Sequence, residues 1–116
     1  MTPLDQHRKG TTDIILLTIL SERPMYGYEI IQELERRSQG YFTFKEGLLY
    51  PALHELESEG LVSSAWQDTP QGRRRRYYTV TDAGRAALAP AVAEWTTFSA
   101  NLSALLRPAP AGGEQA

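Results

Sequence analysis

Arg73-Arg74-Arg75-Arg76-Tyr77-Tyr78 follows the turn-forming Asp68-Thr69-Pro70-Gln71-Gly72 and runs through Thr79-Val80 into Thr81-Asp82-Ala83-Gly84. Tyrosine, threonine and valine favour strands, whereas the Pro and Gly before them mark a loop. Thr81 ahead of Asp82 signals a helix start, with a hydroxyl for the next amides and a carboxylate at the positive end of the helix. The stretch therefore reads as the return arm of a hairpin, about residues 74–80, that hands the chain straight to a helix. The outgoing arm precedes it: Val62, Ser64 and Trp66 alternate with Ser63, Ala65 and Gln67 at strand period. Four successive guanidinium groups at a hairpin tip exceed what folding a small domain needs. They either form a solvated edge that deters strand pairing or meet a polyanion, most commonly a phosphate backbone.

Upstream, the pattern changes to helical period. Residues 1–10 are polar and begin a ragged first helix, with Thr11-Thr12-Asp13 as the start signal of its ordered part. Apolar residues cover most of the circumference over residues 14–20, which predicts a buried helix ended by Pro24. Gly27, Ile30, Ile31 and Leu34 make one apolar face of a second helix, about residues 26–38, and Gly27 lets a neighbour approach closely. Leu49, Ala52, Leu53 and Leu56 repeat that spacing in a third helix, about residues 46–59, which Gly60 terminates. Its other face carries Leu48, Tyr50, Pro51, His54 and Ser58. Lys45 stands at its cap position without an acceptor, and Glu46 compensates at the positive helix end. Pro51 deletes one backbone bond inside it.

Downstream of Thr81, Leu88, Val92, Trp95, Ser99, Leu102 and Leu106 are spaced 4-3-4-3-4, a heptad seam that Phe98 and Leu105 widen. Pro90 is expected to bend this helix near its start. From Arg107 the chain turns to Pro, Ala and Gly, the composition of a disordered tail.

The totals narrow the classes. With 116 residues, 41% hydrophobic and 22% charged, the chain is one small globular domain. It has no cysteine, hence no disulfide and no thiol nucleophile. Its longest apolar run is far too short to span a bilayer, and its start lacks a signal-peptide layout, so a cytoplasmic location is expected. The two histidines, His7 and His54, fall on separate elements, so neither a metal site nor a cofactor is expected. No catalytic constellation is visible, and an enzyme is not expected. Net charge is −2, so only the distribution of charge, not its sum, points to nucleic acid.

Three helices followed by an arginine-tipped hairpin describe a mainly α fold with a small β-hairpin: a winged helix-turn-helix over residues 1–80, a C-terminal dimerisation helix over 81–106 and a tail over 107–116. In such a fold the third helix enters the major groove and the wing reaches adjacent phosphates. The expected contacts are Tyr50, His54, Leu48 and, at the helix entrance, Lys45. Tyr50 has the alternative of packing over the hairpin, and His54 that of an ordinary surface histidine. Tyr26 and Tyr28 are either core or backbone contacts. Glu55, Glu57 and Glu59 read as a solvated face that repels phosphate. The seam of the last helix either folds back on its own core or pairs with its twin in a two-fold dimer. In a dimer, paired Trp95 side chains form aromatic walls for a flat apolar molecule. The rival reading is a winged-helix protein-interaction module that offers the Trp95 helix to a partner and the arginines to an acidic surface.

The motifs resemble the PadR family of bacterial transcriptional regulators. Tyr26-Gly27-Tyr28-Glu29-Ile30 is similar to its second-helix start. Gly47-Leu48-Leu49-Tyr50-Pro51-Ala52-Leu53, with Leu56-Glu57 and Glu59-Gly60-Leu61, is similar to its recognition-helix block, and Arg76-Tyr77-Tyr78 through Thr81 and Gly84 to its wing-to-helix junction. Trp95 stands where the C-terminal helix carries a tryptophan, and a single such helix is typical of the family's short branch. The resemblance covers about residues 12–106. It implies a homodimeric repressor on a palindromic operator in double-stranded DNA, read by Tyr28, Lys45, Gly47, Leu48, Tyr50, Pro51 and His54 and held by Arg73, Arg74, Arg75 and Arg76. It further implies a dimer interface of Leu88, Val92, Trp95, Ser99, Leu102 and Leu106. Within that interface, Val92, Trp95, Phe98, Ser99 and Leu102 would line a flat pore for multidrug-type planar aromatic compounds. Ser99 stands where the branch has an acidic residue one turn after the tryptophan, so a neutral ligand, or none, is an alternative to a cationic one.

Overall fold

Leu16, Leu17, Ile19 and Leu20 are each no more than 3% exposed, which makes the first helix the hub of the core. In the computed structural model, which describes residues 3–108 and side chains from residue 10 onward within them, the elements run α1 (Pro3–Leu20), β1 (Met25–Tyr26), α2 (Gly27–Arg37), α3 (Glu46–Ser58), β2 (Val62–Asp68), β3 (Arg74–Val80) and α4 (Asp82–Leu106). Ile30 and Leu34 of α2, Leu49, Leu53 and Leu56 of α3, and Val62, Tyr78 and Val80 of the sheet close on α1 in one hydrophobic cluster. Burying such side chains contributes on the order of 1.5–3 kcal/mol each, which makes this cluster the main source of stability.

Two expectations are corrected. The first helix begins within residues 1–10 as expected, at Pro3, but Thr11-Thr12-Asp13 lies inside it and marks no start: α1 runs unbroken to Leu20. Proline suits a first helical position because its missing amide has no partner there anyway. Two threonines inside a helix cost only a few tenths of a kcal/mol each, little against the burial that follows. The sheet also has three strands rather than two, in the order β1-β3-β2. Met25 pairs with Tyr78 and Tyr26 with Tyr77, so Tyr26 ends a strand instead of starting α2. Its extended backbone (φ −92, ψ 168) makes it the N-cap residue, and the Glu29 carboxylate accepts a hydrogen bond from its amide at 3.3 Å.

The hairpin forms as its alternation predicts, with Val62 opposite Val80 through Asp68 opposite Arg74. It is joined to α3 by a tight helix end: Gly60 takes φ 78, and the Leu61 amide donates to the Leu56 carbonyl at 2.9 Å. It is joined to α4 by Thr81. The Thr81 hydroxyl accepts from the Gly84 amide at 3.0 Å and donates to the Gly60 carbonyl at 2.6 Å, so one residue caps α4 and ties it to the end of α3.

Helix α4 continues through Pro90 without interruption for 25 residues, roughly 37 Å at the usual rise. Its first turns lie on the core, where Leu88 packs partly buried, whereas Leu102, Leu105 and Leu106 are 40%, 80% and 70% exposed. The expected tail falls outside the described residues from residue 109 on. Among the described residues, no helix is long and apolar enough to cross a membrane.

Candidate nucleic-acid interface

Helix α3 turns Leu49, Leu53 and Leu56 inward and thereby exposes a crest of Gly47, Pro51, His54 and Ser58. Leu48 and Tyr50, two residues apart, fall on opposite flanks of that crest. The Tyr50 ring, 42% exposed, leans on the start of α2: a Cβ on Gly27 would stand 2.2 Å from its hydroxyl and 2.7 Å from Cζ. Tyr50 therefore packs on Gly27, near enough to Tyr78 of the hairpin to act on it, while keeping part of its ring in solvent. On the other flank, Gly47, Leu48, Pro51 and Ala52 line a shallow groove of about 370 Å³ with Thr12 and Asp13 of α1. Lys45 is the extended N-cap residue of α3 and makes no side-chain cap, as its chemistry demands. Tyr28 is 60% exposed on the first turn of α2, and Tyr26 packs edge-on against Tyr77 with centroids 5.5 Å apart.

The four arginines occupy four different environments. Side chains alternate across a strand, so Arg75 goes with Tyr77, and Arg74 and Arg76 go with Tyr78. Arg73, ahead of the strand, is exposed and its guanidinium meets no partner among the described residues. Arg74 lies 3.6 Å from Asp68 in an exposed pair. The Arg75 guanidinium sits 4.3 Å from the centroid of the Tyr26 ring, stacked on β1. Arg76 reaches back to α3: it donates to Ser64 Oγ at 2.8 Å and to Glu57 Oε1 at 3.3 Å, and Ser64 donates to Glu57 Oε2 at 2.7 Å. Glu57 is thus an ion-pair partner, a correction to its reading as solvated face. Burial pushes the Tyr78 hydroxyl above its ordinary pKa, with Arg76 pulling the other way, so the phenol stays protonated.

Three members of this surface carry no signal in the sequence alone. Trp66, 56% exposed, lies between Arg74 and Arg76, whose Cζ atoms are 5.5 and 5.9 Å from its ring. Ser64 and Glu57 join it only because β2 and β3 pair in register, Trp66 opposite Arg76 and Ser64 opposite Tyr78. The alternation of β2 places Ser64 and Trp66 on one face, which was legible, but not what that face meets.

On α4, Trp95 and Phe98 stack with centroids 5.3 Å apart. They line an open groove of about 500 Å³ against α1, together with Ile14, Leu17, Asp13 and Glu94. Val92, Ser99 and Leu102 do not line that groove. Among the described residues there is no cluster of three His, Cys, Asp or Glu side chains able to hold a metal.

With this geometry in place, similarity to known proteins is specific. The sequence model of the transcriptional regulator PadR-like family matches residues 16–90. The chain is 37% identical over 87 residues to an uncharacterised protein of Lysinibacillus sphaericus, covering 75% of this chain and 80% of that one. It is 36% identical over 83 residues to the transcriptional regulator Rv3488 of Mycobacterium tuberculosis, covering 72% and 74%. Among solved structures, a PadR-like transcriptional regulator of Bacillus cereus superposes with a TM-score of 0.75 at 29% identity, covering 90% of this chain and 99% of the other.

Proposed function

The chain belongs to the PadR-like family of transcriptional regulators, DNA-binding proteins rather than enzymes, and from that premise we propose that it is a dimeric repressor of the family's short branch. Two copies joined along α4 would present two α3 crests to successive major grooves of a palindromic operator, about one helical turn apart. The crest residues Gly47, Pro51 and His54, with Leu48 and Tyr50 on its flanks, face the bases. Lys45 and Tyr28 reach the backbone at the helix entrance, and Arg73, Arg74 and Arg75 meet phosphates from the wing. The observation that carries this reading is the exposed end of the wing: among the described residues Arg73 is an unpaired cation at the tip of a strand of arginines, in a chain whose net charge is −2.

The dimer reading rests on the end of α4, where Leu102, Leu105 and Leu106 are 40%, 80% and 70% exposed among the described residues. The release mechanism rests on the Trp95–Phe98 stack. A planar aromatic ligand that inserts beside Trp95 in one arrangement of the two protomers and not in the other shifts their spacing, and with it operator affinity. Repression follows if the dimer occupies a promoter.

The deciding experiment is retardation of a duplex taken from upstream of the gene itself, with transcription from that duplex followed in parallel. Retardation with falling transcript supports the reading. A duplex that migrates unchanged at low salt refutes it.

A further inference from the structure

Arg76 is held by two hydrogen bonds and two aromatic rings, although its side chain stays 44% exposed. Its Nε is 2.8 Å from Ser64 Oγ and its Nη2 3.3 Å from Glu57 Oε1, and its Cζ lies 5.9 Å from the ring centroids of both Trp66 and Tyr78. Ser64 closes the ring by donating to the second Glu57 oxygen at 2.7 Å. Glu57 belongs to the last turn of α3, Ser64 to β2 and Arg76 to β3. The cluster therefore bolts both strands of the wing to the end of the recognition helix, across 19 residues of sequence.

The geometry points to Arg76 as a positioning residue that sets the angle of the wing relative to α3, and to Glu57 as the group that withholds its charge from DNA. This rests on the DNA-binding reading of the wing given above. A cation releases counterions from DNA only by neutralising phosphate, and Arg76 already neutralises a carboxylate. To reach phosphate it would have to leave two charge-assisted hydrogen bonds and two aromatic faces. The side chains of the pair are 44% and 29% exposed, so the bridge adds little to stability. Its effect is preorganisation: the wing is held at one attitude before DNA arrives, so binding does not have to fix it. The run of four arginines thus divides into a tip that binds and a root that aims.

The test is a two-by-two cycle of Glu57→Gln and Arg76→Ala in the full-length protein. It is read as the slope of log affinity against log salt on a random-sequence duplex, with Arg75→Ala and Glu59→Gln as references. Arg75→Ala flattens the slope by about 0.9 per lost phosphate contact. Arg76→Ala alone leaves the slope unchanged. Glu57→Gln steepens it by about the same 0.9, because it frees Arg76, and does so only while Arg76 is present. A slope flattened by Arg76→Ala as much as by Arg75→Ala overturns the assignment, and so does a Glu57→Gln effect that persists without Arg76 or that Glu59→Gln reproduces. A second measurement needs no DNA. In a Trp95→Phe background, Trp66 is the one tryptophan left, and Glu57→Gln must change its quenching by acrylamide. Wild-type protein that ignores duplex at any salt ends the DNA reading. Trp66 quenching that Glu57→Gln leaves unaltered ends this one.

Discussion

Tyr50 and Gly27 are in contact across the helix-turn-helix: the tyrosine hydroxyl occupies space that any Cβ at position 27 would enter, at 2.2 Å. The exposed flank of α3 is therefore set by a residue without a side chain on the helix before it.

Replacing Gly27 with alanine should force the ring outward. Its end is half in solvent and can yield, and alanine is the better helix former, so the net loss is expected at about 1 kcal/mol, the low end of overpacking costs. Urea unfolding of Gly27→Ala, Tyr50→Ala and the double variant checks it. The glycine substitution should cost nothing further once Tyr50 is gone, and simple additivity of the two would show that they do not touch.

Gly84 meets something less forgiving. A Cβ there would lie 2.1 Å from the Leu61 carbonyl oxygen and 2.7 Å from Val80 Cγ2. The first of these is backbone, already accepting from the Thr81 amide at 3.1 Å, and cannot swing aside. Gly84→Ala should cost about 3 kcal/mol, at the upper end of overpacking. A midpoint shift no larger than that of Gly27→Ala would contradict this ranking.

The proposed dimer, with two wings on phosphate, predicts a steep response to salt. With roughly 6–10 such contacts, affinity for a bound duplex should fall by about 10³–10⁵ between 50 and 200 mM salt. Arg75→Ala should weaken every sequence alike, whereas His54→Ala on the α3 crest should cost more on the preferred site. Anisotropy titrations on matched and scrambled duplexes separate the two, and equal losses everywhere would remove His54 from base reading.

The free end of α4 predicts association. Sedimentation should give twice the 13.0 kDa of one chain. A charge at the seam, Leu102→Glu, should bring the mass back to that of one chain and weaken operator binding with it. A wild-type mass of a single chain would leave Leu102, Leu105 and Leu106 without a partner.

Glu33 gives the fold an acid limb. Hydrogen bonds from Arg36 first and then Arg37 hold its carboxyl down from an ordinary 4.5 to about 2. A lowered folded-state pKa stabilises fully above the unfolded value, and the contribution is lost as pH falls from about 4.5 to about 2. The urea midpoints of wild type and Glu33→Gln should therefore differ at neutral pH, approach each other as pH falls from about 4.5, and converge below about pH 2. A gap of equal size at both ends would place the effect elsewhere.

The helices of the core, the two strands of the hairpin and the cap at Thr81 were all readable from the chain, because each depends on residues within a few positions of one another. Leu49, Leu53 and Leu56 announce a buried stripe by spacing alone, and Val62, Ser64 and Trp66 announce a strand. The start signal at Thr11-Thr12-Asp13 was false because two threonines resemble a cap wherever they occur, and burial downstream decides whether they act as one. Strand β1 was missed because two residues have no period; only the edge of β3 gives Met25 and Tyr26 their pairing.

Sequence by itself settled that three helices lead into an arginine-tipped wing and a long apolar-seamed helix, since local propensity and periodicity need no distant partner. Tertiary structure alone decided how those four arginines differ. Arg73 is left in solvent, Arg75 lies on Tyr26, and Arg76 is claimed by a glutamate 19 residues earlier. Identical side chains in a row carry the same charge, and what each can do is set by the neighbours that folding brings within a few ångströms.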